Sequence, residues 1–222
     1  MASVDLTHLF ARHFELYDGT EITFDQSAEG DVGCVVWDAA LVLCGYIGKQ
    51  NCFVDRSVLE LGAGTGAVGL TAAYLRARVV ITDLPEFVPL LQHNITLNKN
   101  KLKGSCTAMA LPWGDKKCMT DIKEAHFRSG VDYILLADCV YYEQSLEQLK
   151  DTIEYFSTAH TTILCSYEDR DIGNKAELQS RFLKMIGEHF NIVEIPMNSH
   201  DEQYCSSDIH ILQFNSKSEK LN

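Results

Sequence analysis

Several common features are missing from this sequence. It has no run of about 18 apolar residues, so no membrane-spanning helix is predicted. Its first residues carry no basic segment followed by an apolar one, so no secretory signal is expected there. The eight cysteines include no C-x-x-C pair and the eight histidines no H-E-x-x-H spacing, so reduced thiols and no metal site are expected. We therefore expect a soluble cytoplasmic protein that has no membrane partner.

Basic residues are also scarce, with 19 Lys and Arg against 31 Asp and Glu and a formal net charge of -12. This balance argues against a nonspecific nucleic-acid binder, because phosphate contacts need clustered Lys and Arg. It is compatible with a basic or lysine-bearing substrate. The 222 residues, 46% of them hydrophobic, suit one globular domain with a sizeable core. We expect a monomer with a single domain over residues 1–222 and a core at about 30–215.

The stretch 57–73 organises the rest of the chain. A short apolar strand runs into a turn with Gly62, Gly64, Gly66 and Gly69, and apolar residues then resume at helical spacing. Glycines permit positive φ and let a ligand approach the backbone closely. Because the helix that follows presents its N-terminal amides to this turn, the pattern predicts a ligand-binding loop.

Two classes of ligand use such a loop. The segment 64–69 matches the dinucleotide fingerprint G-x-G-x-x-G, with Asp83 about 20 residues further on. Glu60, two residues before the first glycine, is poorly placed for a pyrophosphate but suits a cationic ligand. Asp83 ends the next predicted strand and would bind ribose hydroxyls in either case. A glycine-rich turn without any ligand is the third reading.

Apolar segments with strand and helix periodicity alternate along the chain. The predicted strands are 58–61, 79–82, 105–110, 131–137, 161–166, 191–195 and 208–214, and the main predicted helices are 67–76, 86–97, 145–156 and 175–189. This alternation predicts an α/β fold with a Rossmann-like doubly wound sheet, mostly parallel. About a dozen polar residues join the last two strands, too few for a crossover helix, so the last strand should be antiparallel. Residues 115–130 are polar and loosely helical, and they are interpreted as a surface insertion.

Residues 10–24 predict an N-terminal hairpin that turns at Asp18-Gly19. Trp37 begins a helix before the first sheet strand, and Trp113 follows the strand 105–110, where an adenine would stack in an open α/β sheet. A core role is the default for each tryptophan. Asp138 follows the strand 131–137 directly, and capping of the next helix is the simplest role for its carboxylate.

Six blocks in one order carry a resemblance to a known family. They are residues 33–40, 58–70, 80–84, 113–114, 137–142 and 200–211. Together they resemble the class I S-adenosylmethionine-dependent non-histone protein-lysine methyltransferases, a group that includes a methyltransferase of the valosin-containing AAA ATPase. The resemblance implies an enzyme that uses S-adenosylmethionine to methylate a protein lysine, with that ATPase as the expected substrate. The uncharged segment 205–207 departs from the family pattern, which affects the choice of substrate more than the chemistry.

The resemblance also implies roles for individual residues. The implied cofactor residues are Trp37, Glu60, Gly62, Ala63, Gly64, Asp83, Trp113 and Ala137. The family's D-x-x-Y signature falls on Asp138 and Tyr141, the implied catalytic pair. Tyr142 is expected to point elsewhere, since adjacent residues face different directions. The segments around His200 and His210 are candidates for the substrate entrance or for purely structural roles.

The implied reaction needs a neutral lysine amine. With an ordinary pKa near 10.4, deprotonation at pH 7 costs about 4.6 kcal/mol. A positively charged methyl donor and burial both favour the neutral amine, whereas the carboxylate of Asp138 favours the charged one. We therefore expect Asp138 to capture and align the lysine rather than act as a strong base. Tyr141 would form a wall of the site.

Overall fold

A computed structural model of the chain describes residues 4, 6–28 and 32–217. The strands are β1 (Leu9–Glu15), β2 (Glu21–Ser27), β3 (Ser57–Leu61), β4 (Arg78–Asp83), β5 (Ser105–Ala110), β6 (Tyr133–Ala137), β7 (Thr162–Glu168), β8 (Phe190–Glu194) and β9 (Ile209–Ser216). The helices are α1 (Asp38–Gly48), α2 (Ala67–Tyr74), α3 (Val88–Asn98), α4 (Lys116–His126), α5 (Leu146–Phe156) and α6 (Lys175–His189). Residue 30, where the predicted core begins, and both ends of the predicted domain lie outside the described residues.

Seven strands form one sheet in the order β5-β4-β3-β6-β7-β9-β8, and β1 pairs with β2 in a separate hairpin. The strands from β5 to β7 are parallel to one another, and β9 runs antiparallel to both β7 and β8. The predicted fold class is therefore confirmed, including the antiparallel last strand and the hairpin. The chain builds the sheet outward from β3 to β5 and then crosses to β6 on the other side of β3. Ligands bind at such a reversal, beyond the carboxyl ends of the strands.

Both faces of the sheet are covered, which explains why its strands read as continuous apolar runs. All five residues of β3 are buried. Val58 belongs to the core packed against α1 and α2, whereas Leu59 and Leu61 belong to the core packed against α4, α5 and α6. Successive strand residues face opposite sides of the sheet, so alternate side chains of β3 belong to different cores.

The prediction of a surface insertion at residues 115–130 is wrong. The segment forms α4, whose N-terminus is capped by Asp115 accepting a hydrogen bond from the Cys118 amide at 2.9 Å. Met119 and Ile122 lie three residues apart on one face of the helix and are buried in the core against α5. Two apolar residues at this spacing, within a polar segment, are enough to seat the crossover helix between β5 and β6.

Two buried asparagines of α3 attach the hairpin to the sheet domain. Asn98 accepts a hydrogen bond from the Thr23 amide at 3.0 Å and donates to the Thr23 carbonyl at 2.7 Å. Asn94 makes the same pair of bonds with the backbone of Asp25, both at 2.9 Å. These side chains cover the free edge of β2, where unpaired backbone groups would otherwise need water.

Asn98→Ala is expected to lower the free energy of unfolding by about 2–4 kcal/mol, because it leaves two backbone groups of Thr23 without partners. Urea denaturation measures the loss. Gln92→Ala, on the exposed side of the same helix, is the matched control and should change stability by less than about 0.5 kcal/mol. Equal losses in the two variants would contradict this account of the hairpin.

Candidate active site

A cavity of about 390 Å³ opens at the carboxyl ends of the central strands. Nine of the ten predicted site residues line it: Trp37, Glu60, Gly62, Ala63, Gly64, Asp83, Ala137, Asp138 and Tyr141. Trp113 lines a second cavity of about 230 Å³. Asp83, Tyr141 and Tyr142 line both cavities, so the two spaces adjoin. The fold thus brings together residues that are up to 104 positions apart in the chain, from Trp37 to Tyr141.

The glycine loop after β3 is held in a shape that only glycine adopts easily. Gly62, Gly64 and Gly66 have φ values of 63°, 55° and 82°. A Cβ atom at Gly62 would lie 2.9 Å from the ring of Trp113, and one at Gly64 would lie 2.9 Å from the Gly33 carbonyl oxygen. The glycines therefore keep the loop close to its neighbours and leave its backbone facing the cavity.

Asp83 links this loop to the end of β4. One carboxylate oxygen accepts a hydrogen bond from the Gly64 amide and the other from the Leu84 amide, both at 2.7 Å. The carboxylate thus has a fixed position between the two cavities. The sequence predicted an acidic residue here, and the structure adds that it also braces the glycine loop.

Glu60 lies deeper than the sequence suggested. The residue lines the cavity, but it is only 2% exposed, and its carboxylate accepts a hydrogen bond from the Gly69 amide of α2 at 2.8 Å. Burial raises the pKa of Glu60 to about 8, against the opposing effect of that hydrogen bond. Glu60 therefore joins β3 to the first turn of α2 as well as facing the cavity.

Glu60→Gln is expected to flatten the dependence of stability on pH. The pKa of Glu60 is about 8 in the folded protein against an ordinary 4.5, so folding favours its protonated form. The stability that this group contributes is full below pH 4.5 and is lost as the pH rises to about 8. Glutamine can still accept the Gly69 hydrogen bond but cannot ionise. Between about pH 5 and 8 the variant should lose about 2–5 kcal/mol less free energy of unfolding than the wild type.

Urea denaturation across this pH range measures the effect. Glu124→Gln on the exposed side of α4 is the control and should leave the wild-type profile unchanged. Parallel profiles for Glu60→Gln and the wild type would show that Glu60 ionises normally in the fold.

Asp138 follows β6 directly and has an unusual backbone conformation for a non-glycine residue, with φ of 56°. Its side chain is 7% exposed and pairs with Arg170 at 2.5 Å. The carboxylate also accepts a long hydrogen bond from the Glu168 amide, at 3.4 Å. Burial raises the pKa of Asp138, against the opposing effect of Arg170. The helix-cap interpretation is wrong, because the next helical turn begins only at Glu143 and is preceded by Tyr142.

Both tyrosines of the D-x-x-Y-Y segment line the cavities, so the prediction that Tyr142 points elsewhere is wrong. Their ring centroids are 4.7 Å apart, with one ring edge-on to the other. The segment is irregular rather than a strand, so the alternation of side-chain directions in a strand does not apply. The Lys175 ammonium donates a hydrogen bond to the Tyr141 carbonyl at 2.7 Å and lies about 6 Å from both rings.

Sequence reasoning missed three lining residues from the segment after β7, namely Arg170, Ile172 and Lys175. The signal in the sequence was their position just after the predicted strand 161–166. That strand is the next one in the chain after the strand 131–137, which ends before Asp138. His200 and His210, in contrast, line neither cavity. His200 contacts the Ile195 carbonyl at 3.1 Å, and His210 contacts Glu194 at 2.7 Å and Asp169 at 3.0 Å.

Two features are absent from the ranges that the structure describes, 4, 6–28 and 32–217. Within these ranges, no group of three or more His, Cys, Asp or Glu side chains is arranged to hold a metal ion. The helices of the same ranges are too short or too polar for a membrane span.

The chemistry of the lining fits S-adenosylmethionine, which carries a positive sulfonium, a ribose and an adenine. Asp83 and Asp138 supply carboxylates, the Glu60 carboxyl group lies behind them, and Trp113 supplies an aromatic face in the adjoining space. The volume of the larger cavity lies within the range of about 300–1,000 Å³ for small-molecule sites. Because the glycines of the loop have no side chains, a ligand can approach the loop backbone closely.

Comparisons with known proteins agree with this chemistry. A family model described as lysine methyltransferase matches residues 16–189. The mouse protein-lysine methyltransferase METTL21E is 38% identical over 167 residues, which are 73% of this chain and 65% of that protein. The EEF1A lysine methyltransferase 3 of Xenopus tropicalis is 35% identical over 155 residues, 68% of this chain and 66% of that protein. The chain thus matches slightly less than two thirds of the METTL21E length.

Solved structures agree on the fold. The magnesium protoporphyrin IX methyltransferase of Synechocystis PCC 6803, with bound SAH, superimposes with a TM-score of 0.53. The alignment covers 80% of this chain and 82% of that one at 14% identity, so it bears on the fold alone. Because the family model spans most of the sequence, from hairpin to α6, the chain belongs to the lysine methyltransferase family.

Proposed function

We propose that this protein is an S-adenosylmethionine-dependent protein-lysine N-methyltransferase. Family membership supports the reaction class, and relatives with this activity in their names support a protein as the substrate. The observation that carries the proposal is the buried carboxylate of Asp138, which lines the same cavity as the glycine loop.

Different residues of the two cavities are assigned to different parts of the cofactor. We assign the ribose hydroxyls to Asp83 and the adenine to the space beside Trp113. The glycine loop, with Trp37 and Ala137, forms the walls around the remainder, and the buried carboxyl group of Glu60 lies beneath it. When bound, S-adenosylmethionine supplies an electrophilic methyl group attached to a positively charged sulfur.

Asp138 and Tyr141 are assigned to the acceptor lysine. The carboxylate of Asp138 can receive an ammonium group and hold it in line with the cavity, and Tyr141 restricts its approach. Alignment of two reactants is worth up to about 7–11 kcal/mol of the barrier, more than the roughly 4.6 kcal/mol that deprotonation costs at pH 7. Holding the amine in place is therefore the largest contribution that these residues can make.

The proposed substrate is a lysine of the valosin-containing AAA ATPase, on the basis of the sequence blocks 33–40 to 200–211. The relative from Xenopus tropicalis is named for elongation factor 1A, which makes that protein the natural competitor in a test. The cytoplasmic location and monomeric state expected from the sequence stay predictions.

The test combines the purified protein with a donor that carries a deuterated methyl group and with each of the two recombinant proteins. Tandem mass spectrometry should find the labelled methyl on a lysine of the AAA ATPase. Label on elongation factor 1A instead would keep the reaction and correct the substrate. Label on a small molecule with none on any protein would overturn the proposed function.

A thermal unfolding measurement addresses the dinucleotide alternative. S-adenosylhomocysteine should raise the Tm of the protein, whereas NADH should not, because only a ligand that binds the folded state stabilises it. Stabilisation by NADH alone would favour an oxidoreductase. Stabilisation by S-adenosylhomocysteine without any transfer to protein would favour a noncatalytic binding module.

A further inference from the structure

Arg170 connects two carboxylates at the wall of the larger cavity. One of its terminal nitrogens donates to Asp138 at 2.5 Å and to Glu168 at 2.5 Å. The guanidinium also lies over the indole of Trp37, with its central carbon 4.8 Å from the ring centroid. The side chain is thus held on three sides and is only 25% exposed. Such a fixed position distinguishes it from an ordinary surface arginine.

The carboxylate of Asp138 is fixed from the other side as well. The left-handed backbone at Asp138 is held by its amide, which donates to the Ser166 carbonyl at 2.9 Å. β6 and β7 pair in parallel, so their carboxyl ends present Asp138, Glu168 and Arg170 at one point of the sheet. The fold therefore places at the cavity a carboxylate that is already paired with a guanidinium.

This pairing resolves a conflict within the proposed function, on which the inference rests. A carboxylate that aligns a lysine also stabilises its ammonium form, and a charge within about 4–6 Å shifts a pKa by about 1–3 units. A neighbouring positive charge reduces that effect. We propose that Arg170 is a positioning residue for methyl transfer, because it fixes the Asp138 carboxylate and offsets its charge beside the acceptor amine.

Other titratable groups surround this pair. They are Cys165, Tyr167 and Glu168 of β7, Asp169 just after it, Cys139 and Tyr141 after β6, Lys175 at the start of α6 and Asp83 across the cavity on β4. Glu168 and Lys175 carry opposite charges, and burial keeps both thiols neutral by raising the pKa of each. Arg170 is the cation that contacts Asp138 directly, so its removal should dominate the local change in charge.

Arg170→Gln tests the proposal through the dependence of kcat on pH, which reports the bound acceptor. Without the guanidinium, Asp138 remains ionised at alkaline pH and holds the acceptor as ammonium. The rising limb of the kcat profile should move about one pH unit to higher pH, and kcat near pH 7.5 should fall about tenfold. Arg170→Lys keeps the charge and should stay within about threefold of the wild type.

Glu168→Gln provides a counter-test of opposite sign. It removes a negative charge but leaves Arg170 paired with Asp138, so the rising limb should move to lower pH. If Arg170 and Glu168 only stabilise the fold, kcat should fall in both variants, and the rising limb of each pH profile should stay at its wild-type position. The protein that accepts label in the preceding experiment serves as the substrate.

A second experiment measures the titration of Asp138 directly and needs no methyl transfer. Carboxyl ¹³C NMR of the free protein follows the titration of Asp138, whose midpoint should rise by about one pH unit or more in Arg170→Gln. A far-UV circular dichroism spectrum that matches the wild type shows that the variant has folded. If Arg170→Gln does not fold, the displacement in Glu168→Gln decides the matter.

The outcomes separate the two proposals. Wild-type protein that transfers methyl groups, together with unchanged kcat profiles in Arg170→Gln and Glu168→Gln, would overturn the role of Arg170 alone. Wild-type protein that labels no protein would overturn the proposed function, and the role of Arg170 with it.

Discussion

Asp138→Asn is expected to lower kcat for methyl transfer to a protein lysine by at least about a hundredfold. The substitution keeps the size of the side chain but removes the charge that holds the acceptor in line. Arg170 keeps its second carboxylate partner, Glu168, so the fold should tolerate the change. Affinity for S-adenosylhomocysteine, measured by calorimetry, should stay within about twofold of the wild type because the glycine loop is untouched.

Asp132→Asn is the matched control, because Asp132 precedes the opposite end of β6. Its carboxylate accepts hydrogen bonds from the amide and hydroxyl of Ser57, both at 2.8 Å. Loss of its charge should therefore lower stability while kcat stays within about twofold. Full activity in Asp138→Asn, or equal losses of kcat in both variants, would remove Asp138 from the acceptor site.

Gly64→Ala is expected to weaken S-adenosylhomocysteine binding by at least about a hundredfold. Alanine at φ 55° is strained, and its Cβ would lie 2.9 Å from the Gly33 carbonyl oxygen. The loop must therefore move, which breaks the hydrogen bond between the Gly64 amide and Asp83. A hundredfold loss corresponds to about 2.7 kcal/mol, comparable to one lost charge-assisted hydrogen bond with local strain. Calorimetry measures the affinity directly.

Gly19→Ala separates backbone strain from loss of the site. Gly19 has φ of 77° in the hairpin turn, and nothing lies within 4 Å of a Cβ atom built there. This variant should lose about 1 kcal/mol of stability and retain its affinity for S-adenosylhomocysteine. Normal affinity in Gly64→Ala would show that the ligand does not depend on the glycine loop.

Much of the fold was predictable because local sequence and tertiary packing agree. The strand predicted at 105–110 and the helix predicted at 175–189 have the same bounds in the structure. Apolar runs buried between two helical layers leave little ambiguity. The helical character of residues 115–130 was predicted, but its place in the core was not. The buried face of α4 consists of two apolar residues in a polar segment, so periodicity alone could not distinguish it from a surface insertion.

The candidate site was predictable only where a local motif carries it. The glycine loop and Asp138 each follow a strand directly and Asp83 ends one, so their place at the sheet edge follows from sequence order. Arg170 comes 32 positions after Asp138 in the chain, and their contact depends on the parallel pairing of β6 with β7. Neighbouring strands are chosen by packing of the whole sheet, which no local pattern specifies. Tyr142 was misjudged because strand alternation was applied to an irregular segment.

A crystal structure of the protein with S-adenosylhomocysteine tests the central claim most directly. The account predicts the adenine beside Trp113, the ribose hydroxyls at Asp83 and the sulfur in the larger cavity, facing the carboxylate of Asp138. Density for the ligand outside these two cavities, or an Asp138 carboxylate directed away from the sulfur, would contradict it.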